Sequence, residues 1–154
     1  MVDPPEHAVT LAELGVRMAQ STPQAAALGF RLVSVEPGAA TMAVDYKPEL
    51  IGDPETGVVA GGVVTTLLDH VCGLAVTSRL LSEGHLERVA TLDLRIDYMR
   101  AAEPGKAIFG RARCYKLGHA IAFVRAAAFD ADEEDPVATA QAAFSIIPVE
   151  AAAT

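Results

Sequence analysis

The sequence is poor in several residue types that mark particular classes of protein. It has no tryptophan, aromatic residues make up 5% of the chain, and there are 2 cysteines among 154 residues. Cys72 and Cys114 have apolar neighbours and lie in no CxxC or Cys/His spacing, so we expect both to be buried, reduced thiols. This cysteine usage indicates neither a disulfide-rich secreted scaffold nor a zinc site.

Positive charge and long apolar runs are also scarce. The net charge is -8, whereas binding to nucleic acid or to an anionic membrane surface requires a basic face. Runs without a charge, such as residues 56–68, are too short to span a bilayer, and the amino terminus lacks the basic and apolar regions of a secretory signal. We therefore expect a cytoplasmic protein with no nucleic-acid partner and no membrane partner.

The rest of the composition is that of a globular domain. Hydrophobic residues make up 51% of the chain, and a chain of this length can bury a substantial core. We expect a single domain over residues 1–154, with its core at about 27–148. A short leading helix is predicted at 10–20, where Thr10 and Glu13 have the spacing of a capping box.

Alternating hydrophobicity and turn signals predict strands on both sides of one long helix. The first two strands form a hairpin at the turn Pro37-Gly38, and the proline- and glycine-containing loop 47–57, where we expect no regular structure, precedes the helix. The last three strands form an antiparallel meander with one face rich in glycine and alanine, against which a helix can lie closely. The predicted strands are 30–35, 40–46, 90–98, 107–117, 120–129 and 137–147.

The strand at 90–98 shows the clearest alternation. Its even-numbered residues are apolar and its odd-numbered residues are polar, the pattern of a strand with one buried face. We expect the even-numbered side chains to face the core and Thr91 to lie on the opposite, polar face.

The stretch VVAGGVVTTLLDHVCG, residues 58–73, leads into the long helix. Residues 61–81 contain no proline and are apolar nearly all round, which predicts a helix buried on most faces. Asp69 is unusual in this setting, because burying a charge costs on the order of several kcal/mol unless it is compensated. Its neighbour His70 points about 100° away around the helix, and we assign it a structural role. The helix face of Asp69 carries mainly small residues, namely Gly62, Thr65, Thr66, Gly73 and Val76.

Two explanations for Asp69 are open at this point. Its carboxylate could bind the backbone of a neighbouring loop or an arginine, which explains many buried carboxylates. It could also serve a substrate site, for which small neighbouring side chains leave room.

The order of these elements resembles the hotdog fold, an α+β fold in which a curved antiparallel β-sheet wraps around one long central α-helix. The segments GDPETGVVAGG, LLDH, ATLDLRIDYMR and KLGHAIAF, in this order, are similar to those of the phenylacetate-pathway, or PaaI-like, family of acyl-CoA thioesterases. The resemblance extends over residues 27–147, which is nearly the whole chain.

At the helix start, the family's His-Gly-Gly is matched by Ala60, Gly61 and Gly62, and the asparagine of its preceding loop by Asp53. Unpaired N–H groups in a first helical turn can polarise a thioester carbonyl, and glycine lets that carbonyl approach the backbone. Close packing of the helix on the sheet would also explain the two glycines. The resemblance assigns Gly61 and Gly62 to catalysis, and Ala60 and Asp53 to substrate binding.

The resemblance also implies the reaction, which is hydrolysis of an acyl- or aryl-CoA thioester to the free acid and coenzyme A. The family's catalytic carboxylate falls on Asp69, which activates water or attacks the carbonyl, and its serine or threonine on the next strand falls on Thr91. No cofactor is needed, because coenzyme A is part of the substrate. In the family the site lies between subunits, so we expect a homodimer, or a homotetramer built as a dimer of dimers, in which the partner's Thr91 orients water beside Asp69. The alternative is a non-catalytic acyl-CoA-binding protein, because Ala60 replaces the family's histidine.

The remaining substrate contacts are predicted from charge. Most of the lysines and arginines lie between residues 88 and 125, where they could bind the phosphates of coenzyme A. Arg100, Lys116 and His119 are our candidates, although ordinary surface ion pairs would explain such residues equally well. Thr66, which shares the helix face of the predicted catalytic carboxylate, completes the substrate-binding set.

Overall fold

The computed structural model describes residues 9–149, so the amino-terminal segment considered above for a secretory signal lies largely outside the described residues. The long helix predicted from the sequence is present and packs against a β-sheet. In chain order the elements are α1 (Leu11–Ala19), α2 (Pro23–Leu28), β1 (Phe30–Glu36), β2 (Ala39–Val44), a 3-10 turn (Pro48–Leu50), β3 (Ile51–Asp53), β4 (Val58–Val59), α3 (Gly61–Ser82), β5 (Arg88–Tyr98), β6 (Ile108–Leu117), β7 (Ile121–Phe129) and β8 (Ala138–Ile147).

The main sheet has the strand order β1-β2-β6-β7-β8-β5, and each neighbouring pair is antiparallel. The predicted β1–β2 hairpin and the β6–β7–β8 meander are therefore confirmed. Helix α3 contacts all six strands of this sheet, which wraps around it. The protein has the hotdog fold, as the resemblance implied.

Small residues bring the sheet close to α3, as predicted. A Cβ atom at Gly110 on β6 would lie 3.0 Å from Cγ of Leu67 on the helix, so a larger residue there would push the helix away. Ala112 on the same strand and Ala122 and Ala128 on β7 are also buried. The glycine- and alanine-rich face of the meander is thus the surface that receives the helix.

Helix α3 is the central element of the core. By length and hydropathy it would also suit a membrane span, but 67% of its most apolar window is buried inside the fold. Its one fully buried polar side chain among the described residues, Ser78, donates a hydrogen bond to the carbonyl of Glu36 at 2.9 Å and accepts one from the N–H of Gly38 at 3.1 Å. These bonds fix the second half of α3 to the β1–β2 turn.

The leading helix α1 covers only part of α3. The predicted capping box is present, since Thr10 Oγ1 accepts from the N–H of Glu13 at 3.2 Å and the Glu13 carboxylate accepts from the N–H of Thr10 at 2.9 Å. Leu14 on α1 lines a cavity of about 190 Å³ together with Leu81 near the end of α3. Helix α2 was not predicted, because its six residues are too few to show helical periodicity.

The loop 47–57 is more regular than predicted. It contains the 3-10 turn and the short strand β3, which pairs with β4 directly after the loop, so the expectation of no regular structure is wrong. Pro48 is tolerated because it occupies the first position of the 3-10 turn. Gly57, with φ of 75°, allows the sharp return of the chain.

Strand β5 departs from strict alternation. Its pairing with β8 shifts register between Thr91 and Asp93, and the extra residue, Leu92, is 58% exposed. Before this bulge Thr91 faces the helix, whereas after it the inward side chains are even-numbered, such as Leu94. The prediction that Thr91 lies on the polar outer face is therefore wrong, and the inward direction predicted for Ala90 and Leu92, both exposed, is wrong for the same reason.

Candidate active site

The first turn of α3 begins without a side-chain cap. Ala60 at the N-cap has no side chain that can accept a hydrogen bond, and its own N–H donates to the carbonyl of Leu50 at 2.9 Å. The N–H of Val63 donates a hydrogen bond to the carbonyl of Ala60 at 3.0 Å. Within residues 9–149, the N–H groups of Gly61 and Gly62 have no acceptor. The helix start therefore presents two free donors together with the positive end of the helix dipole.

There is open space beside these two glycines. A Cβ atom at Gly62 would meet no atom within 4 Å, and one at Gly61 would make only ordinary contacts, 3.5 Å or more from Tyr98. Close packing of helix on sheet therefore does not explain Gly62, and it explains Gly61 only weakly. Both glycines are exposed, so an external group can approach their N–H groups.

Two turns further along α3, Asp69 forms a pair with β5. Thr91 Oγ1 donates a hydrogen bond to Oδ1 of Asp69 at 2.7 Å. Within the described residues, Oδ2 accepts no hydrogen bond, and the Asp69 side chain is only half-buried. Within residues 9–149 no arginine and no loop backbone binds this carboxylate, so the structural explanation considered from the sequence is not what these residues show. One oxygen is held in place and the other is free.

The Asp69–Thr91 pair lies within one chain. The expectation that the partner's Thr91 would serve Asp69 is therefore wrong, because the β5 bulge turns this chain's own threonine towards its own helix. Along α3, Asp69 lies seven residues beyond Gly62, a rise of about 10 Å. Reacting groups must come within about 3–3.5 Å of each other. The helix start and the carboxylate of one chain thus cannot act on the same carbonyl.

A tyrosine that sequence reasoning missed binds the helix start. Tyr98 Oη donates to the carbonyl oxygen of Gly61 at 2.7 Å and lies 2.6 Å from Thr65 Oγ1. Its position in the alternating strand indicated only an apolar side chain for the core. The available signal was the tyrosine at the last residue of that strand, because a phenol hydroxyl needs a hydrogen-bond partner.

The two other candidates near the helix start have their polar groups engaged locally. Thr66 Oγ1 donates to the carbonyl of Gly62 at 2.8 Å. Asp53 accepts from Thr56 Oγ1 at 2.6 Å and from the N–H of Glu55 at 3.0 Å, and these bonds lower the pKa of its carboxyl. Asp53 therefore builds its own turn, and its assignment to substrate binding stays a prediction.

Arg100 has a structural environment. It binds Asp130 through two hydrogen bonds of 2.9 and 2.7 Å and the carbonyl of Asp135 at 2.7 Å. Asp130 is 8% exposed, and the hydrogen bonds from Arg100 hold the pKa of its carboxyl well below the usual range, while they raise the pKa of Arg100. The guanidinium that we predicted to bind coenzyme A is thus occupied by a buried carboxylate.

The last two candidates lie far from the carboxylate along the helix. Lys116 and His119 are exposed near the β6–β7 turn, and His119 lines a cavity of about 270 Å³ that also includes Leu80. Leu80 is eleven residues beyond Asp69, a rise of about 16 Å. The chain therefore does not bring these two residues together with Asp69, and contacts with a distant part of a long substrate stay a prediction.

His70 and the cysteines have the structural roles expected for them. The Nε2 atom of His70 contacts the carbonyl of Met18 on α1, and its ring packs near Phe30. Cys72 and Cys114 are both free and buried, and burial raises the pKa of each thiol.

The fold and the site together define a class: a hotdog protein with an open helix start and a threonine-bound carboxylate on the central helix. Residues 56–137 match the family model of the thioesterase superfamily. The chain belongs to this superfamily, and the resemblance seen in its sequence is confirmed.

Individual proteins of known structure or name support the same conclusion. A crystal structure of a protein from Pseudomonas aeruginosa is 36% identical, with a TM-score of 0.79 and coverage of 88% of this chain and 98% of that one. The medium/long-chain acyl-CoA thioesterase YigI of Escherichia coli K12 is 26% identical over 130 residues, which are 78% of this chain and 83% of YigI. The PaaI protein of E. coli, from the phenylacetic acid degradation operon, is 17% identical with a TM-score of 0.75 over 89% of this chain and 94% of PaaI, a similarity that shows the fold alone.

Proposed function

We propose that the protein hydrolyses an acyl-CoA thioester to the free acid and coenzyme A. The observation that carries the proposal is the Asp69 carboxylate, which has one oxygen held by Thr91 at 2.7 Å and the other oxygen free. Membership of the thioesterase superfamily supports it. The name of the YigI relatives makes medium- and long-chain acyl-CoA the first substrates to test.

The chemistry divides between the carboxylate and the helix start. Oδ2 of Asp69 takes a proton from water, and the resulting hydroxide adds to the thioester carbon. The N–H groups of Gly61 and Gly62 stabilise the negative charge that develops on the carbonyl oxygen. The C–S bond then breaks, and the coenzyme A thiolate leaves and takes up a proton.

Direct attack by Asp69 is the second route from the same geometry. The carboxylate oxygen adds to the thioester carbon, coenzyme A leaves, and water hydrolyses the mixed anhydride. Single-turnover hydrolysis in ¹⁸O-water identifies the second route when water attacks the aspartyl carbon of the anhydride. Activated water places the label in the product acid, whereas water attacking the aspartyl carbon of the anhydride places it in Asp69.

We propose that two chains complete each site. The carboxylate and the helix start of one chain are about 10 Å apart along α3, so the helix start that serves Asp69 comes from a second copy. The outer edge of β5 is where that copy fits, because this strand pairs with β8 on one side only. Leu92 in the strand and Met99 directly after it are each 58% exposed. A long edge strand with unpaired backbone N–H and C=O groups is a template for pairing with another chain. The proposed assembly is a dimer, or a tetramer of two such dimers.

A cytoplasmic location belongs to the same proposal. Both cysteines are free thiols, which suits a reducing compartment. The reaction as proposed uses no metal and no cofactor, because the only groups it requires are the carboxylate, the backbone donors and water.

The test is release of free thiol from a panel of acyl-CoAs that differ in chain length and in aromatic character. Asp69→Asn is expected to lower kcat by at least about a hundredfold without loss of folding. The matched control is Asp45→Asn, because Asp45 is an exposed carboxylate paired with Arg31 at 3.0 Å. An unchanged kcat in Asp69→Asn would contradict the proposed mechanism. Binding of acyl-CoA without any thiol release would instead favour the non-catalytic binding protein.

A further inference from the structure

Tyr98 connects the end of β5 to the first turn of α3. Its Oη atom donates to the carbonyl oxygen of Gly61 at 2.7 Å, and Thr65 Oγ1 lies 2.6 Å from Oη and 3.1 Å from the same carbonyl. A Cβ atom at Gly61 would lie 3.6 Å from the tyrosine ring, so the ring also packs against this glycine. Within residues 9–149, Tyr98 provides the one side chain from outside α3 that bonds to its first turn.

The hydrogen bond acts on the peptide unit that carries a free donor. The carbonyl of Gly61 and the N–H of Gly62 belong to the same planar peptide group, so a bond that fixes the carbonyl also fixes the direction of the N–H. A donor bound to the carbonyl oxygen also polarises the peptide and strengthens the N–H as a donor. The preceding peptide, which carries the N–H of Gly61, is fixed by the bond from Val63 to the carbonyl of Ala60 at 3.0 Å.

This anchoring matters because the residues at the helix start restrain the backbone only weakly. Gly61 and Gly62 have the largest conformational freedom of any residue type, and Ala60 supplies no side-chain cap. Two consecutive glycines at an uncapped helix start would otherwise fray. The phenol on β5 instead holds this turn from the side, through its hydrogen bond to the Gly61 carbonyl.

We infer that Tyr98 is a positioning residue that holds the peptide groups of Gly61 and Gly62 in the orientation needed to stabilise the thioester oxyanion. The inference rests on the proposed function, since it assigns a role within that reaction. Tyr98 does not touch the reacting atoms. Its single hydroxyl proton is used on the Gly61 carbonyl, and Thr65 donates to its oxygen.

The test compares Tyr98→Phe with the wild-type protein on the acyl-CoA that wild type hydrolyses fastest. The substitution removes the hydroxyl and keeps the ring, so folding is expected to be retained. We expect kcat to fall about three- to tenfold, with KM within about twofold, because one indirect hydrogen bond is lost and both N–H groups remain. Thr65→Val, which leaves the tyrosine bond to Gly61 in place, is expected to have a smaller effect than Tyr98→Phe.

Tyr115→Phe is the control. Tyr115 is exposed on the outer side of the sheet, where Arg125 stacks over its ring at 4.7 Å, and its hydroxyl has no partner within the described residues. This variant should hydrolyse acyl-CoA at the wild-type rate.

A spectroscopic measurement separates positioning from general stability. In an Asp69→Asn background, which binds but does not turn over substrate, the carbonyl stretch of ¹³C-labelled acyl-CoA should shift to lower frequency on binding. Adding Tyr98→Phe should move the band back towards its solution value. Loss of thermal stability alone would leave this band unchanged.

The outcomes separate the two proposals. If the wild type releases no thiol from any acyl-CoA, the proposed function and the role of Tyr98 fail together. If the wild type is active and Tyr98→Phe retains its kcat, or lowers kcat without moving the carbonyl band, the inference about Tyr98 is overturned while the proposed function stands. A rise in KM at constant kcat would also overturn it, because the tyrosine would then be a substrate contact.

Discussion

Replacing Gly61 with proline removes one proposed oxyanion donor with little expected cost to the fold. Gly61 is the first residue of α3, where proline is well tolerated, and its N–H has no acceptor to lose within the described chain. Ala60 has φ of -58° and ψ of 136°, which is the conformation that a residue before proline prefers. At a compatible site proline stabilises a protein by about 0.4–1 kcal/mol through the unfolded chain. We therefore expect the melting temperature of Gly61→Pro to equal or exceed that of the wild type.

Catalysis should respond in the opposite direction. Loss of one oxyanion donor costs about a hundred- to a thousandfold in kcat, whereas substrate binding depends on the rest of the site. Steady-state thiol release, circular dichroism and light scattering on the same preparation measure rate, folding and assembly together. Gly61→Ala is the control, because it retains the N–H and its methyl would lie 3.5 Å from Tyr98 Oη, an ordinary contact. If Gly61→Pro is folded, assembled and as active as Gly61→Ala, the oxyanion is held elsewhere and the argument from the helix start is wrong.

Three further predictions follow from the same contacts. Mixing Asp69→Asn chains with Gly61→Pro chains should restore about a quarter of wild-type activity, since half of the dimers are mixed and each mixed dimer has one intact site. Mixing Asp69→Asn chains with Thr91→Ala chains should restore none, because Asp69 and Thr91 of each site belong to the same chain. Equal recovery in both mixtures would contradict the shared site. Ala60→His should raise kcat on the best acyl-CoA, because the variant supplies the polar group that the alanine lacks at the helix start, and steady-state kinetics with no increase would show that the loop works without it. Arg100→Gln should lower the melting temperature at neutral pH by at least about 5 °C at unchanged KM, since a buried carboxylate loses its partner. The Asp130 carboxyl has a lowered pKa in the fold, so the stabilisation from its pairing with Arg100 is present above about pH 4 and is lost as the pH falls. The difference in melting temperature between Arg100→Gln and wild type should therefore shrink at low pH. A raised KM in this variant would point to a substrate contact.

The sequence was sufficient for the elements with long, regular patterns. Helix α3 begins at Gly61, as the glycine pair and the proline-free run after it indicated, and the leading helix has the capping box expected from Thr10 and Glu13. These signals are local in the chain, so they survive in the fold. The small elements β3 and β4 have two or three residues each. They depend on the contact of Leu50 with Ala60, which no periodicity within the loop encodes.

The site was predicted less completely, because much of it depends on side chains distant in sequence. Asp69 and Thr91 were assigned from the resemblance, and the structure places them in hydrogen-bond contact. Arg100 was interpreted as a free cation, because the carboxylate it binds lies thirty residues away. The role of Tyr98 depends on the fold in the same way, since its partner Gly61 is thirty-seven residues earlier.

Because of the bulge in β5, the alternation of inward and outward side chains changes from odd-numbered to even-numbered residues within this strand. Up to Thr91 the odd-numbered residues face the helix, and from Leu94 the even-numbered residues do. Deleting the extra residue, Leu92, would leave a strand of regular alternation in which Thr91 and Leu94 still face the helix. A relative whose strand lacks this extra residue would align well in sequence over either half and be offset by one in the other. In such a relative, the equivalent of Thr91 has to be counted from the amino-terminal end of the strand. This is the part of the strand in which the threonine hydroxyl binds the carboxylate.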